Sequence, residues 1–323
     1  DLDVVTCKFT DQMSGRMLGV RADITPQTAR MDAHSLAEEG VTRLCYAGSA
    51  LQSTPQSLIS GRAPIQLGAE LFGSNAIEAD SEVIGLMLST FECAGVSRPL
   101  TLDIGHIGIY DALFSDAGLE PELETQIFDA LQRKSTPDIE RLSTSLPVRE
   151  AERLARLVSL HGSPDVLASA RAAFPDEPAV LAALDQLDSV LTGVQRAFPN
   201  VGVYVDLTEL RGFRYHTGLV FAVYLEGRGS AVAKGGRYNN IGAVFGRDRP
   251  ATGFAIDLKA LVDDAQQSET TDVPVIAPQS DDAGLQAAVN AVRATGRTAV
   301  MDVAPRADCP TAQRLGRRTG ERT

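Results

Sequence analysis

Asp23, Thr25, Gln66, Glu70, Arg211 and Tyr215 together supply what is needed to hold a free amino acid. An ammonium group is held by carboxylates or amides, a carboxylate by a guanidinium, and a side chain by a shaped pocket with a few specific partners. Several of these residues also have a plainer reading. Asp23 stands just before Thr25-Pro26 and, taken alone, reads first as an acid in the turn that opens a helix. Arg211-Gly212 opens an aromatic-rich stretch, Phe213-Arg214-Tyr215-His216, and is equally an ordinary surface turn. Glu70 is harder to place as mere structure. It stands between Ala69 and Leu71 in a strand-like run, where a carboxylate among buried neighbours is costly unless paired. His34, His106 and His161 share no metal-ligand spacing and read as surface or core positions, so no metal and no cofactor is expected.

These side chains must be presented by particular elements. Thr25 followed by Pro26 predicts a helix start, with the threonine side chain capping free amides and proline at the first helical position. That helix should run to about Glu39 and close at Gly40. Val41 to Leu51 reads as a buried strand, and Arg62 to Gly73 as a strand of clean alternation. Ile65, Leu67, Ala69 and Leu71 face one way, so Gln66 and Glu70 share the other face. Gly68 between them leaves room for a small ligand lying on the sheet. Ala79 to Ala94 is predicted helical and Pro99 to Ile104 a strand. Helical patterns then continue to Asn200, through Glu120 to Lys134, Asp138 to Ser145, Val148 to Leu160 and Pro178 to Phe198. Strands return at Val201 to Leu207 and Tyr215 to Leu225, with a turn at Gly227-Arg228-Gly229, then Ala231 to Lys234. Gly253 to Ile256 leads as a strand into a helix at Leu258 to Ala265. A polar linker, Gln266 to Asp272, precedes an α/β segment with strands near Val273 to Pro278 and Thr298 to Val303 and a helix from about Asp282 to Thr295. The end, Arg306 to Thr323, is rich in charge and poor in large apolar residues, which predicts mobility.

With 323 residues, 44% of them hydrophobic and 22% charged, the chain has the composition of a folded protein with a sizeable core. A net charge of −12 argues against a protein that grips a nucleic-acid backbone, whose affinity comes from Lys and Arg. The four cysteines, Cys7, Cys45, Cys93 and Cys309, are widely spaced, which indicates neither a zinc site nor a disulfide scaffold and fits a reducing cytoplasm. No apolar run is long enough to span a bilayer, so no membrane partner is expected. The chain opens at Asp1 inside a strand-like pattern of Val4, Val5, Cys7 and Phe9, which reads as the loss of an upstream segment.

Two segments carry a family resemblance: Val20-Arg21-Ala22-Asp23-Ile24-Thr25-Pro26 and Glu209-Leu210-Arg211-Gly212-Phe213-Arg214-Tyr215-His216-Thr217-Gly218. They resemble the substrate-side signatures of a class II histidyl-tRNA synthetase, and Gly235-Gly236-Arg237-Tyr238, about twenty-five residues further on, resembles the second part of its histidine-specific signature. The resemblance covers roughly Val4 to Asp264. It implies that Asp23 and Thr25 contact an amino group, Arg211 a carboxylate, and Gln66 and Glu70 a histidine side chain, with Tyr215 and His216 completing the set. Asp23 is one methylene shorter than the family's acid, and His216 stands where the synthetase has a tyrosine. The residues that act on ATP are replaced. Leu51-Gln52-Ser53-Thr54-Pro55 occupies the place of a phenylalanine, an arginine and a glutamate, and Ala260 that of a second arginine. Fixed guanidiniums stabilise charge developing on phosphates, and neither Gln52 nor Ala260 can do so.

A kept amino-acid pocket beside a lost phosphate clamp resembles the synthetase paralogues that serve as regulatory subunits of ATP phosphoribosyltransferase. The resemblance implies an α+β fold, an antiparallel sheet flanked by helices, with a synthetase-like core at 1–109 and 201–265, a helical insertion at 110–200 and a short C-terminal α/β remnant at 273–323. It implies no catalytic residues, the short-form ATP phosphoribosyltransferase catalytic subunit as partner, self-association as a dimer, and L-histidine as effector. The upstream segment would hold the first class II motif. A divergent histidyl-tRNA synthetase and an orphan amino-acid-binding module are the alternatives; Gln52, Ala260 and the short C-terminal segment weigh against the first.

Overall fold

Burial alternates along the edge strand Thr42–Ser49, while the strands Leu219–Leu225 and Ala251–Asp257 further into the sheet are buried along almost their whole length. The computed structural model describes residues 2–37, 39–55, 61–210, 212, 215–262, 275–278, 282–302 and 313–314. The chain divides into two compact units, Asp1–Ala265 and Gln266–Thr323. In the first, a short helix Leu2–Val5 precedes a hairpin of β1 (Cys7–Thr10) and β2 (Met17–Val20). Val4 and Val5, whose β-branched character suggests a strand, thus lie in one helical turn.

The remaining strands of this unit are β3 (Thr42–Ser49), β4 (Ile65–Phe72), β5 (Leu100–His106), β6 (His161–Gly162), β7 (Gly202–Asp206), β8 (Leu219–Leu225), β9 (Ala233–Arg237) and β10 (Ala251–Asp257). They form one eight-stranded sheet in the order β3-β4-β10-β9-β8-β5-β7-β6. Every pairing is antiparallel except that of β5 with β7. This α+β architecture fulfils the expectation of an antiparallel sheet flanked by helices.

Helix Ile77–Cys93 forms because Ala79, Val83, Ile84, Met87, Leu88 and Phe91 fall on one face, with Glu78 and Asp80 favouring its N-terminal end. Phe91 has no exposed surface, and truncating such a side chain to alanine costs about 3–5 kcal/mol. The segment after β5 is helical as its periodicity predicts, with helices Ile107–Phe114, Pro121–Gln132, Thr136–Ser143, Val148–Leu157, Val166–Ala173 and Pro178–Ala197. The last packs against Ile77–Cys93 and Ile107–Phe114, so Leu184, Leu187 and Leu191 join the same apolar cluster as Leu102, Ile104 and Val223 of the sheet. His106 ties these layers together. Its Nδ1 accepts from the Gly108 amide at 3.1 Å and its Nε2 meets Gln186 Oε1 at 3.1 Å, a structural role for this histidine.

The second unit holds β11 (Val275–Pro278) between β12 (Ala299–Asp302) and β13 (Gln313–Arg314), both parallel to it. Helix Ala283–Ala294 is capped by Asp282 and buries Val289 among Val275, Ala277 and Ala299. The predicted linker and most of the predicted mobile tail lie outside the described residues. No described helix is long and apolar enough to cross a membrane.

Candidate functional site

Strand β4 places Glu70 at the bottom of a cleft, on the face opposite Ala69 and Leu71, which enter the apolar core. The residue is 2% exposed. Oε1 accepts from the Thr25 hydroxyl at 2.7 Å and from the Tyr46 hydroxyl at 3.3 Å, and Oε2 accepts from Tyr238. Burial pushes the Glu70 carboxyl up to about 8, against the pull of hydrogen bonds from Tyr238 and Thr25; Asp23 raises it further and Tyr46 lowers it. Gly253, paired with Glu70 across β10, is required here, because a Cβ would occupy the space of the carboxylate. The predicted space at Gly68 is not open. The ring of Tyr46, its neighbour on β3, fills it, so the strand's small residue makes room for a protein side chain rather than for a ligand.

The turn before the first site helix supplies the next wall. Helix Thr25–Arg30 starts at an Ile24 cap with no side-chain cap bond, and Pro26 sits in its first turn. Thr25 is therefore not the cap predicted from its type. Its hydroxyl finds a tertiary acceptor in Glu70 instead, and its amide donates to Asp23 Oδ1 at 3.3 Å. Asp23 is thus a turn acid and a lining residue at once. The helix continues as a π-helix, Met31–Leu36, and ends at Ala37 in a left-handed conformation, short of the predicted Gly40. Ile24 donates its amide to Gln66 Oε1 at 3.0 Å, which leaves the amide nitrogen of Gln66 as the donor for a ligand.

Tyr215 and His216 close the far wall. Tyr215 stacks on Tyr238 with ring centroids 5.0 Å apart and planes 14° apart. Burial pushes the His216 imidazole down to about 4, so it is neutral. Gly212, at φ +72°, and Gly236 both leave space that the His216 ring takes. Arg211 lies outside the described residues. Arg237 of the glycine-rich segment turns away from the cleft and pairs with Asp80 at 2.7 Å, both buried.

Asp23, Thr25, Gln66, Glu70, Tyr215 and His216 therefore line one cleft of about 310 Å³. The sequence did not single out Tyr46 for this site, nor assign a role to Tyr238. Tyr238 shares strand parity with Lys234 and Gly236, and Tyr46 with Leu44 and Gly48, so alternation was the available signal.

The other end of the cleft is lined by Gln52, Gly61, Pro64, Ile256 and Asp257. Gln52 is buried and spends its side-chain amide on the Ala22 carbonyl at 3.4 Å, while Arg62 Nε donates to the Gln52 carbonyl at 2.9 Å. Lys259 donates to the Ala63 carbonyl, and Ala260 packs against the core. Among the described lining residues Lys234 is the only Lys or Arg, against the three carboxyl groups of Asp23, Glu70 and Asp257. Such a site disfavours a polyphosphate and suits a cationic ligand. No group of His, Cys, Asp and Glu that could hold a metal occurs among the described residues.

Residues 1–261 match the family described as Histidyl-tRNA synthetase. A protein of Marinobacter nauticus named "ATP phosphoribosyltransferase regulatory subunit" is 49% identical over 297 residues, 91% of this chain and 75% of its own. A solved Bacillus halodurans structure, described as an ATP phosphoribosyltransferase regulatory subunit/histidyl-tRNA synthetase, superposes with a TM-score of 0.80 at 27% identity, covering 98% of this chain and 79% of that one. A chain of the ATP phosphoribosyl transferase (HisG:HisZ) complex from Thermotoga maritima has a TM-score of 0.61 at 24% identity, covering 77% of this chain and 84% of its own, a likeness of fold.

Proposed function

We propose, for a chain that belongs to the family of ATP phosphoribosyltransferase regulatory subunits within the wider histidyl-tRNA synthetase family, that its cleft holds histidine as an effector and performs no chemistry of its own. The chain assembles with the short-form catalytic subunit of ATP phosphoribosyltransferase, supports the first step of histidine biosynthesis and makes that step responsive to histidine. The observation that carries this reading is the contrast between the two ends of the cleft. At one end hydroxyls, carboxyls and an amide converge on an amino-acid-sized space around Glu70; at the other, Gln52 and Ala260 are committed to the protein's own structure. Asp23 and Glu70 serve the cationic groups of histidine, Gln66 donates its amide, and Tyr215 and His216 shape the wall. Arg211 takes the carboxylate, by its match to the family signature. The same reading assigns 1–109 and 201–265 to a synthetase-like core, 110–200 to a helical insertion and 273–323 to a C-terminal remnant. Phe9, Met17 and Leu18 on the first hairpin are exposed and offer apolar surface for self-association as a dimer. The unpaired thiols of Cys7, Cys45 and Cys93 suit the cytoplasm.

The test is to add the chain to the short-form catalytic subunit and follow phosphoribosyl-ATP formation with and without histidine. Turnover should rise on addition and become histidine-sensitive. Unchanged turnover at saturating protein, with the complex shown by light scattering to have formed, defeats the proposal.

A further inference from the structure

Just behind the cleft lining, the Tyr46 hydroxyl touches two of the candidate ligand-binding groups. Tyr46 stands on β3, the edge strand of the sheet, with its ring over Gly68 and its hydroxyl 3.1 Å from Thr25 Oγ1 and 3.3 Å from Glu70 Oε1. We propose that Tyr46 is a positioning residue, whose hydroxyl, packed beside that of Thr25, donates to Glu70 and thereby sets the protonation state in which the cleft meets a cationic amino acid. The inference rests on the reading that the cleft holds histidine.

Among the described residues, the hydrogen bonds that Glu70 accepts all come from hydroxyls, those of Thr25, Tyr46 and Tyr238. An ionised Glu70 receives all three. A protonated Glu70 carries its own O–H on one oxygen and loses an acceptor position, so each hydroxyl favours the ionised form. Burial opposes them and holds the carboxyl near 8 in the empty cleft. The groups facing Glu70 from the surrounding elements are Asp23 and Thr25 from the turn before the site helix, Tyr46 from β3, Tyr215 from the turn before β8 and Tyr238 after β9, while β10 presents Gly253 without a side chain. Burial, and then the charge of Glu70, push the Tyr46 phenol well above its ordinary value, so Tyr46 remains a neutral O–H donor. Entry of the ligand's ammonium or imidazolium supplies the charge that ionises Glu70. The carboxyl proton then passes to solvent as the ion pair forms. Histidine affinity therefore rises with pH towards about 8, and loss of the Tyr46 hydroxyl moves that rise to higher pH.

The experiment is calorimetric titration of L-histidine into the chain assembled with its catalytic subunit, from about pH 6 to about pH 9, in buffers of differing ionisation enthalpy. The wild-type chain and Tyr46→Phe are compared, each also in a Glu70→Gln background. Wild type should release a proton on binding below about pH 8. Tyr46→Phe should bind about three- to tenfold more weakly near neutrality and converge on wild type at the alkaline end, the size of one lost hydrogen bond. In the Glu70→Gln background the same change should leave the pH profile unmoved. A loss of equal factor at every pH makes Tyr46 merely structural and overturns the proposal while leaving the cleft reading intact. Absence of histidine binding by the wild-type assembly removes that reading and the proposal with it.

Discussion

Glu70 sits among hydroxyl donors with its carboxylate almost fully enclosed, so burial decides its protonation. Its carboxyl is raised from 4.5 to about 8, which fixes the sign of its effect on stability. Below the unfolded value both states carry the proton and nothing is lost. As pH rises from 4.5 towards 8 the unfolded chain releases its proton while the folded chain keeps it, and stability falls across that window. Glu70→Gln removes the titrating group, so its melting temperature relative to wild type should increase from acid to alkaline pH. An equal difference at about pH 5 and about pH 9 would contradict this account. Glu70 was legible in the sequence because a carboxyl in a strand between Ala69 and Leu71 has to be explained. Its partners Tyr46 and Tyr238 were not, since they reach it from β3 and from just after β9, whose register only the assembled sheet defines.

The strand elements follow period-two parity closely enough to explain where the glycine-rich segment sends its arginine. In β9, Ala233, Gly235 and Arg237 face away from Lys234 and Gly236, and this parity sends Arg237 of the Gly235-Gly236-Arg237-Tyr238 segment to helix Ile77–Cys93 rather than to the ligand. There it donates to Asp80 from Nε and Nη2, and to the Ser74 carbonyl at 3.0 Å. The motif was readable, but the direction of its arginine was not, because a guanidinium suits either a ligand or a buried carboxylate. Removing one member of a buried pair strands the other. Arg237→Met should therefore cost about 3–5 kcal/mol in urea unfolding, and adding Asp80→Leu should return part of that loss. Additive losses in the double variant would show that the two groups are not coupled. The helix after Thr25 shows the opposite limit of local reading. Thr25-Pro26 marked its start correctly, yet the threonine hydroxyl left its capping role for Glu70, a contact across 45 residues. Likewise the helix passes into a π-helix, where Asp32 pairs with Arg249 at 2.8 Å, and stops before the glycine expected to end it.

At the scale of the whole molecule, the charge of −12 and the acidic cleft agree in disfavouring phosphate-rich ligands, while the family relation supplies a catalytic partner that handles them. A regulator without chemistry acts only through unequal affinity for the active and inactive arrangements of that partner. Binding linkage then constrains the assembled enzyme. If histidine in this chain's cleft weakens substrate binding to the catalytic subunit by some factor, substrate must weaken histidine binding to the cleft by the same factor. Couplings of this kind are typically about 1–3 kcal/mol, or about five- to 150-fold. Histidine affinity of the assembled complex should thus fall by that factor when ATP saturates the catalytic subunit, and the reverse titration should give an equal number. The chain without its partner should show no such dependence, because the far end of its own cleft presents Asp257 and a Gln52 committed to the Ala22 carbonyl where phosphates would need cations. Calorimetry on the complex and on the lone chain, with and without ATP, measures both. An ATP effect of equal size on the lone chain would place the nucleotide in this cleft and return the protein to the behaviour of a synthetase.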